Sequence, residues 1–178
     1  AIHECQFSDT QQTMSWVLET ANSHGVDLEQ GIVPIAIDWG GGYGNAVGDP
    51  LKKRNVNVIE IHGNASSNLD SKKYANKRAE LYGEAARRLD PAGDFRMMPF
   101  ALPDNQRLKA ELVAPEKIYA GHDGEKYYIT PKGRRGSDAN YNGKTLHEIL
   151  GRTPDRADAV VYCLCALRSQ RRRQLIVA

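Results

Sequence analysis

Ile32-Val33-Pro34-Ile35-Ala36-Ile37-Asp38, followed at once by Trp39-Gly40-Gly41-Gly42-Tyr43-Gly44, is the stretch on which the fold turns. A continuous apolar run of strand length suits a strand buried on both faces, usually a parallel one flanked by helices. Pro34 weakens that reading slightly, because proline cannot donate to a ladder. A carboxylate at the carboxyl end of such a strand projects into the crevice where open α/β sheets place their ligands. Asp38 is therefore a candidate ligand-binding acid, and the glycines behind it let backbone or substrate approach closely. The plainer reading, an Asp that merely starts the turn after a strand, competes with it on equal terms.

Working outward, residues 2–7 form a short strand candidate, and Ser8 or Asp9 caps a helix whose apolar stripe is Met14, Val17, Leu18 and Ala21. Gly25 ends that helix. Beyond the glycines, residues 45–53 read as a short helix, residues 56–61 as a second strand, and Ser71 to Leu89 as a long helix. That helix keeps Tyr74, Ala75, Leu81, Tyr82, Ala85 and Leu89 on its inner side. Asp104 to Leu112 is another helix, and Lys117 to Pro131 a β-hairpin around the tight-turn pair Asp123-Gly124. Residues 133–143 are a polar, basic loop. Thr153-Pro154, a cap followed by proline at the first helical position, opens the last helix. Residues 169–178 are a basic and then apolar tail. Strand–helix–strand–helix order at this length indicates an α/β fold with a mostly parallel sheet in one domain.

The chain has 178 residues, 40% hydrophobic and 26% charged, which suits a single globular domain with one substantial core. A net charge of +2 does not by itself argue for nucleic acid. The clusters say more: Lys72, Lys73, Lys77 and Arg78; Lys132, Arg134 and Arg135; Arg168 with Arg171 to Arg173. Three cysteines, Cys5, Cys163 and Cys165, read as reduced thiols, with the pair in the last helix buried. No apolar stretch reaches membrane-spanning length and no signal peptide is visible, so the reading is of a soluble, cytoplasmic chain with no membrane partner.

A dinucleotide site is the tempting alternative at Asp38, since Glu60 lies 22 residues further on, where a ribose-binding acid falls. The glycines do not supply G-x-G-x-x-G in any register, and no G-x-x-x-x-G-K-[ST] is present. The second acidic site is Asp155 and Asp158, three apart in the opening turn of the last helix. Acids there commonly serve the macrodipole, which is a strong account of Asp155. It is weaker for Asp158, which sits among apolar positions, poorly placed for solvent and well placed to hold a cation. Carboxylates converging from a strand end and a helix start make a hard, oxygen-rich site for Mg²⁺ or Mn²⁺. Such ions activate water and stabilise the leaving oxygen of a phosphodiester. The five histidines form no ligand pair, and no nucleophile elbow is present. The basic run Lys132 to Arg135 is a solvated loop or, beside a metal, a clamp for the phosphates of a duplex.

Ile35 to Gly44 with Asp49-Pro50-Leu51 resembles the segment around the middle catalytic acid of large terminase subunits, the DNA-packaging motors of tailed bacteriophages. Tyr74-Ala75-Asn76-Lys77-Arg78-Ala79-Glu80-Leu81-Tyr82 resembles that family's long helix. Ile129 to Lys132, then Gly151 to Val160, resembles its closing strand and acidic helix. The resemblance runs from about residue 8 to residue 167. It implies an RNase H-like central mixed sheet flanked by helices with an added β-hairpin. It also implies a divalent-metal endonuclease that cuts concatemeric viral DNA, acting in the host cytoplasm. Asp38 matches the middle acid and Asp158, or else Asp155, the acid of the last helix. Lys77, Arg78, Lys132, Arg134 and Arg135 become candidate contacts to double-stranded DNA. An upstream ATPase domain, a portal and a small terminase subunit become candidate partners. A non-cleaving DNA- or portal-binding module on the same scaffold, or another RNase H-like nuclease such as a resolvase, is the alternative. The family's first metal-binding acid lies on an earlier strand, for which only residues 2–7 remain, and Glu4 is a poor substitute. Either the chain is a piece of a longer protein or that acid is missing. The expectation is that this chain alone binds metal weakly and cuts DNA poorly, with an unpaired apolar edge beside the Asp38 strand.

Overall fold

The structure, a computed structural model, describes residues 2–40, 42–90, 92, 102–120, 124–133 and 141–176, with side chains of the last segment described through Leu167. The chain forms two compact units, one of residues 1–63 and 162–178, the other of residues 64–161.

In the first unit, helix α1 (Thr10–Ser23) starts where the Asp9 carboxylate accepts the Gln11 N–H. It ends as the sequence indicates: Gly25 takes φ +74°, and the N–H groups of Gly25 and Val26 return to the carbonyls of Asn22 and Ala21. This paired arrangement satisfies carbonyls that a helix end otherwise leaves open. Strand β1 (Pro34–Asp38), helix α2 (Tyr43–Lys53) and strand β2 (Asn57–Ile61) follow, and β1 and β2 pair in parallel with Asp38 opposite Ile61. Pro34 stands at the first strand residue, where its missing N–H costs no ladder bond. Leu18, Leu28, Val47, Leu51 and Val56 form the core, with Ile35, Ile37 and Val58 packed on it.

Two expectations are corrected here. Residues 2–7 contain no strand. The Ile32–Asp38 run is not buried on both faces: Ile35, Ala36 and Ile37 are half-buried, Asp38 is exposed, and Ile32, outside the strand, is 65% exposed. Only the face carrying Ile35 and Ile37 packs on the α1–α2 core, and β1 pairs with β2 alone among the described strands.

In the second unit, helix α3 (Lys77–Leu89) is shorter than its sequence pattern suggests. Asn76 caps it by accepting the Ala79 N–H, and the preceding residues are drawn off to the hairpin. There Ala75 N–H donates to the Tyr127 carbonyl and Tyr127 N–H to the Lys73 carbonyl. Backbone groups committed to that bridge are not available to a helix, so Tyr74–Tyr82 is half bridge and half helix. Helix α4 (Gln106–Val113) and the antiparallel hairpin of β3 (Lys117–Ala120) and β4 (Lys126–Ile129) agree with the sequence. Gly83 lets α3 lie against the hairpin, for a Cβ there would come within 2.6 Å of both the Tyr127 hydroxyl and the Tyr74 ring. A short helix α5 (Leu146–Leu150) begins in a Thr145/Glu148 capping box. Helix α6 (Asp155–Ile176) closes the order, its first turns belonging to this unit.

The class is therefore mixed α/β with six α-helices and two small sheets among the described residues, one parallel and one antiparallel. No described helix is long and apolar enough to cross a membrane.

Candidate functional site

Asp38 ends β1 with both carboxylate oxygens engaged inside the first unit. Oδ1 accepts the Gly40 N–H at 2.9 Å, closing a local turn, and Oδ2 accepts the Tyr162 hydroxyl at 3.2 Å. The turn-starting role is thus realised, and a second oxygen is held by a phenol from α6. The glycines have a structural task. A Cβ on Gly44 would fall 2.1 Å from the Asp38 carbonyl oxygen, and one on Gly48 2.3 Å from the Trp39 ring. Gly44 and Gly48, one helical turn apart, therefore let α2 pack directly on the turn that carries Asp38. Glu60 is occupied as well: it pairs with Lys52 of α2 and, at 3.2 Å, with His62. Those contacts hold its carboxyl below the usual range.

Asp158 lies in the second unit, in the first turns of α6, and is only 5% exposed. Its Oδ1 accepts the Tyr82 hydroxyl at 2.8 Å. Its Oδ2 lies 2.6 Å from the Lys132 ammonium but makes no directed hydrogen bond. Arg78 stacks over the Tyr82 ring and brings Nε to 4.0 Å from Oδ1, while its Nη1 donates to the Thr130 carbonyl. Arg78 Nε and Nη2 are buried with no hydrogen-bond partner. Such atoms are uncommon in a packed interior and are costly there. Burial, and next the charge of Asp158, push the Tyr82 phenol far above its ordinary value, so it stays a proton donor to Asp158. Asp155 differs from Asp158 in kind: it is exposed and accepts the Thr153 hydroxyl at 2.7 Å.

The expected helix cap is also corrected. Asp158 N–H reaches the Pro154 carbonyl at 2.9 Å, which makes Pro154 the capping position, and Thr153 donates its hydroxyl to Asp155 instead of accepting. Proline has no acceptor side chain. Glu111 of α4 supplies it, taking the N–H groups of Arg156 and Ala157 on Oε2 at 2.9 and 3.2 Å. Its Oε1 accepts from Arg107 and Arg152. A second wholly buried acid, Glu80, accepts from Ser67, the backbone of Asn68 and Leu69, and Lys77. Burial alone raises its pKa, but the Lys77, Ser67 and Leu69 donors outweigh that and hold it below the ordinary value. Glu80 and Glu111 were missed in the sequence because both sit in charge-rich helical stretches that read as solvated faces.

Of the proposed DNA contacts, Lys77 and Arg78 have side chains only 12% and 11% exposed and face Glu80 and Asp158, while Lys132 is 35% exposed. Arg134 and Arg135 lie outside the described residues, as do the side chains of the basic tail. No disulfide joins the cysteines, and in α6 Cys163 is exposed and Cys165 half-buried, because Tyr162 and Leu164 take the buried positions.

Among the described residues no three His, Cys, Asp or Glu side chains gather as a bound ion needs. The charged groups beside Asp158 are both cations, Lys132 at 2.6 Å and Arg78 at 4.0 Å. The described residues therefore do not, as arranged, form the expected Mg²⁺ or Mn²⁺ site. In comparisons with families of proteins, with curated proteins and with solved structures, no family model, curated protein or solved structure matches the chain.

Proposed function

We propose that the chain is the nuclease-type portion of a viral large terminase, an RNase H-like scaffold that engages double-stranded DNA during genome packaging. One observation carries the reading. Within a run of motifs that resembles that family in order, Asp158 is a buried acid in the opening turns of the last helix, with an oxygen that makes no hydrogen bond. That oxygen is met by the Lys132 ammonium at 2.6 Å, and a buried carboxylate without a full set of hydrogen bonds is costly for a fold to keep. Asp38, at the carboxyl end of a parallel strand, supports the reading from the first unit. Asp155, exposed and tied to Thr153, is the weaker candidate.

Phosphodiester hydrolysis by such a protein depends on Mg²⁺ or Mn²⁺ for water activation and charge neutralisation. The chain's own contribution is narrower. Tyr82 fixes Asp158 by donating to Oδ1, and Lys132 supplies positive charge at Oδ2. A second reading, a module that binds DNA or the portal without cutting, is favoured by that same Lys132 contact.

Supercoiled plasmid incubated with the chain and Mn²⁺ or Mg²⁺, beside a gel shift in EDTA, separates the two. Nicking that Asp158→Asn or Asp38→Ala abolishes supports the nuclease. A shift without nicking supports the binding module. Neither nicking nor shift overturns both.

A further inference from the structure

We infer that the exposed Tyr119 ring on the β3–β4 hairpin, with the Lys117 and Lys73 ammoniums beside it, forms a stacking site for single-stranded DNA. The duplex reading above needs no such site, so the inference goes beyond it.

Tyr119 stands opposite Tyr127 across the hairpin, and Tyr127 is bridged in turn to Tyr74, so three rings lie in a row across neighbouring strands. Their centroids are 5.8 and 5.5 Å apart, edge to face. At the inner end Gly83 of α3 lies against the Tyr127 hydroxyl and the Tyr74 ring, and these two tyrosines are buried. Tyr119, at the outer end, is 59% exposed. Its contact with Tyr127 holds the ring while leaving much of it in water, so a base can stack there without first ordering the side chain. A base inside a duplex is covered by its neighbours, and only an unpaired one has a face to offer. Positive charge lies along the same row. Lys117, two residues before Tyr119 and so on the same face of β3, has its ammonium 5.2 Å from the Tyr127 ring. The Lys73 ammonium is 5.4 Å from the Tyr74 ring. Both lysines are exposed, and among the described residues neither forms an ion pair. Asp70 accepts the Lys73 backbone N–H, not its ammonium, and Glu84, whose charge reaches Tyr127, is paired with Arg87. Cations without acidic partners beside an exposed ring complement a strand that carries a phosphate beside each base.

The test is fluorescence anisotropy of the full chain with three labelled probes. These are an oligo-dT of about twelve nucleotides, an abasic strand of the same length, and a duplex of the same length. The oligo-dT should bind more tightly than the abasic strand. Tyr119→Ala should weaken oligo-dT binding about tenfold and leave the abasic strand unaffected, while Tyr119→Phe stays near the wild type. Tyr119→Leu, which keeps apolar bulk against Tyr127, serves if the alanine variant does not fold. Lys117→Gln and Lys73→Gln should weaken both single strands and flatten the salt dependence. If the Tyr119 variants bind oligo-dT as the wild type does, the stacking inference fails and only phosphate contacts remain. If the duplex binds and oligo-dT does not, the inference fails while the duplex reading stands. If no probe binds, both fail.

Discussion

Glu111 and Asp158 are both buried acids of the second unit, 0% and 5% exposed; Asp158 lies in the first turn of α6, and Glu111 reaches that turn from α4. Their surroundings are opposite in kind. Glu111 has each oxygen shared by two donors: Arg107 and Arg152 on one, the N–H groups of Arg156 and Ala157 on the other. It neutralises the positive end of a helix whose capping residue is a proline. Asp158 has one phenol on Oδ1, one ammonium near Oδ2, and an arginine beside it with two unbonded nitrogens. A saturated acid holds the fold together. An unsaturated acid, kept at a cost in stability, is where ligand chemistry is to be sought.

The largest expected effect tests the structural half of that contrast. Glu111→Ala strands two arginines and two helix N–H groups, and should cost about 3–5 kcal/mol in urea unfolding. Asp158→Asn should cost less, about 1.5–3 kcal/mol, because Tyr82 can still donate to the amide oxygen. Equal losses for the two variants would break the contrast, since Asp158 would then be as structural as Glu111. The smallest effect concerns Glu80, a third buried acid that shares the saturated character. Folding lowers its pKa, so its contribution is complete above the ordinary value of 4.5 and is lost as pH falls through the lower folded-state value. Unfolding of wild type and Glu80→Gln between about pH 7 and about pH 3 should show a steeper acid loss for the wild type. Parallel curves would mean that Glu80 is not held as its donors imply.

Much of the local structure was legible. Asp9 and Gly25 bound α1, the apolar run before Asp38 is a parallel strand, and β3 pairs with β4, because caps and strand runs depend on nearest neighbours, while Asp123 lies outside the described residues. The Thr145-x-x-Glu148 box is of the same local kind, a capping signal carried by residues three apart. The start of α3 was not legible in the same way. Tyr74 fits a helical stripe, yet a bridge to Tyr127, more than fifty positions away, claims it. The two-sided burial of β1 failed for a related reason: an apolar run states that burial is favourable, not that enough partners exist to provide it.

At the candidate site the division is sharper. The sequence by itself determined which acids stand at element ends, Asp38 after a strand and Asp155 and Asp158 at a helix start, because those positions follow from local pattern. Only the tertiary structure decided that Asp155 faces water while Asp158 is buried against Tyr82, Arg78 and Lys132. It alone turned Lys77 and Arg78 from a basic cluster into internal counter-charges, and assigned the capping of α6 to Glu111. The reason is physical. Hydrogen-bonding capacity belongs to the residue, but whether it is met depends on which distant donors the packing brings within about 3 Å.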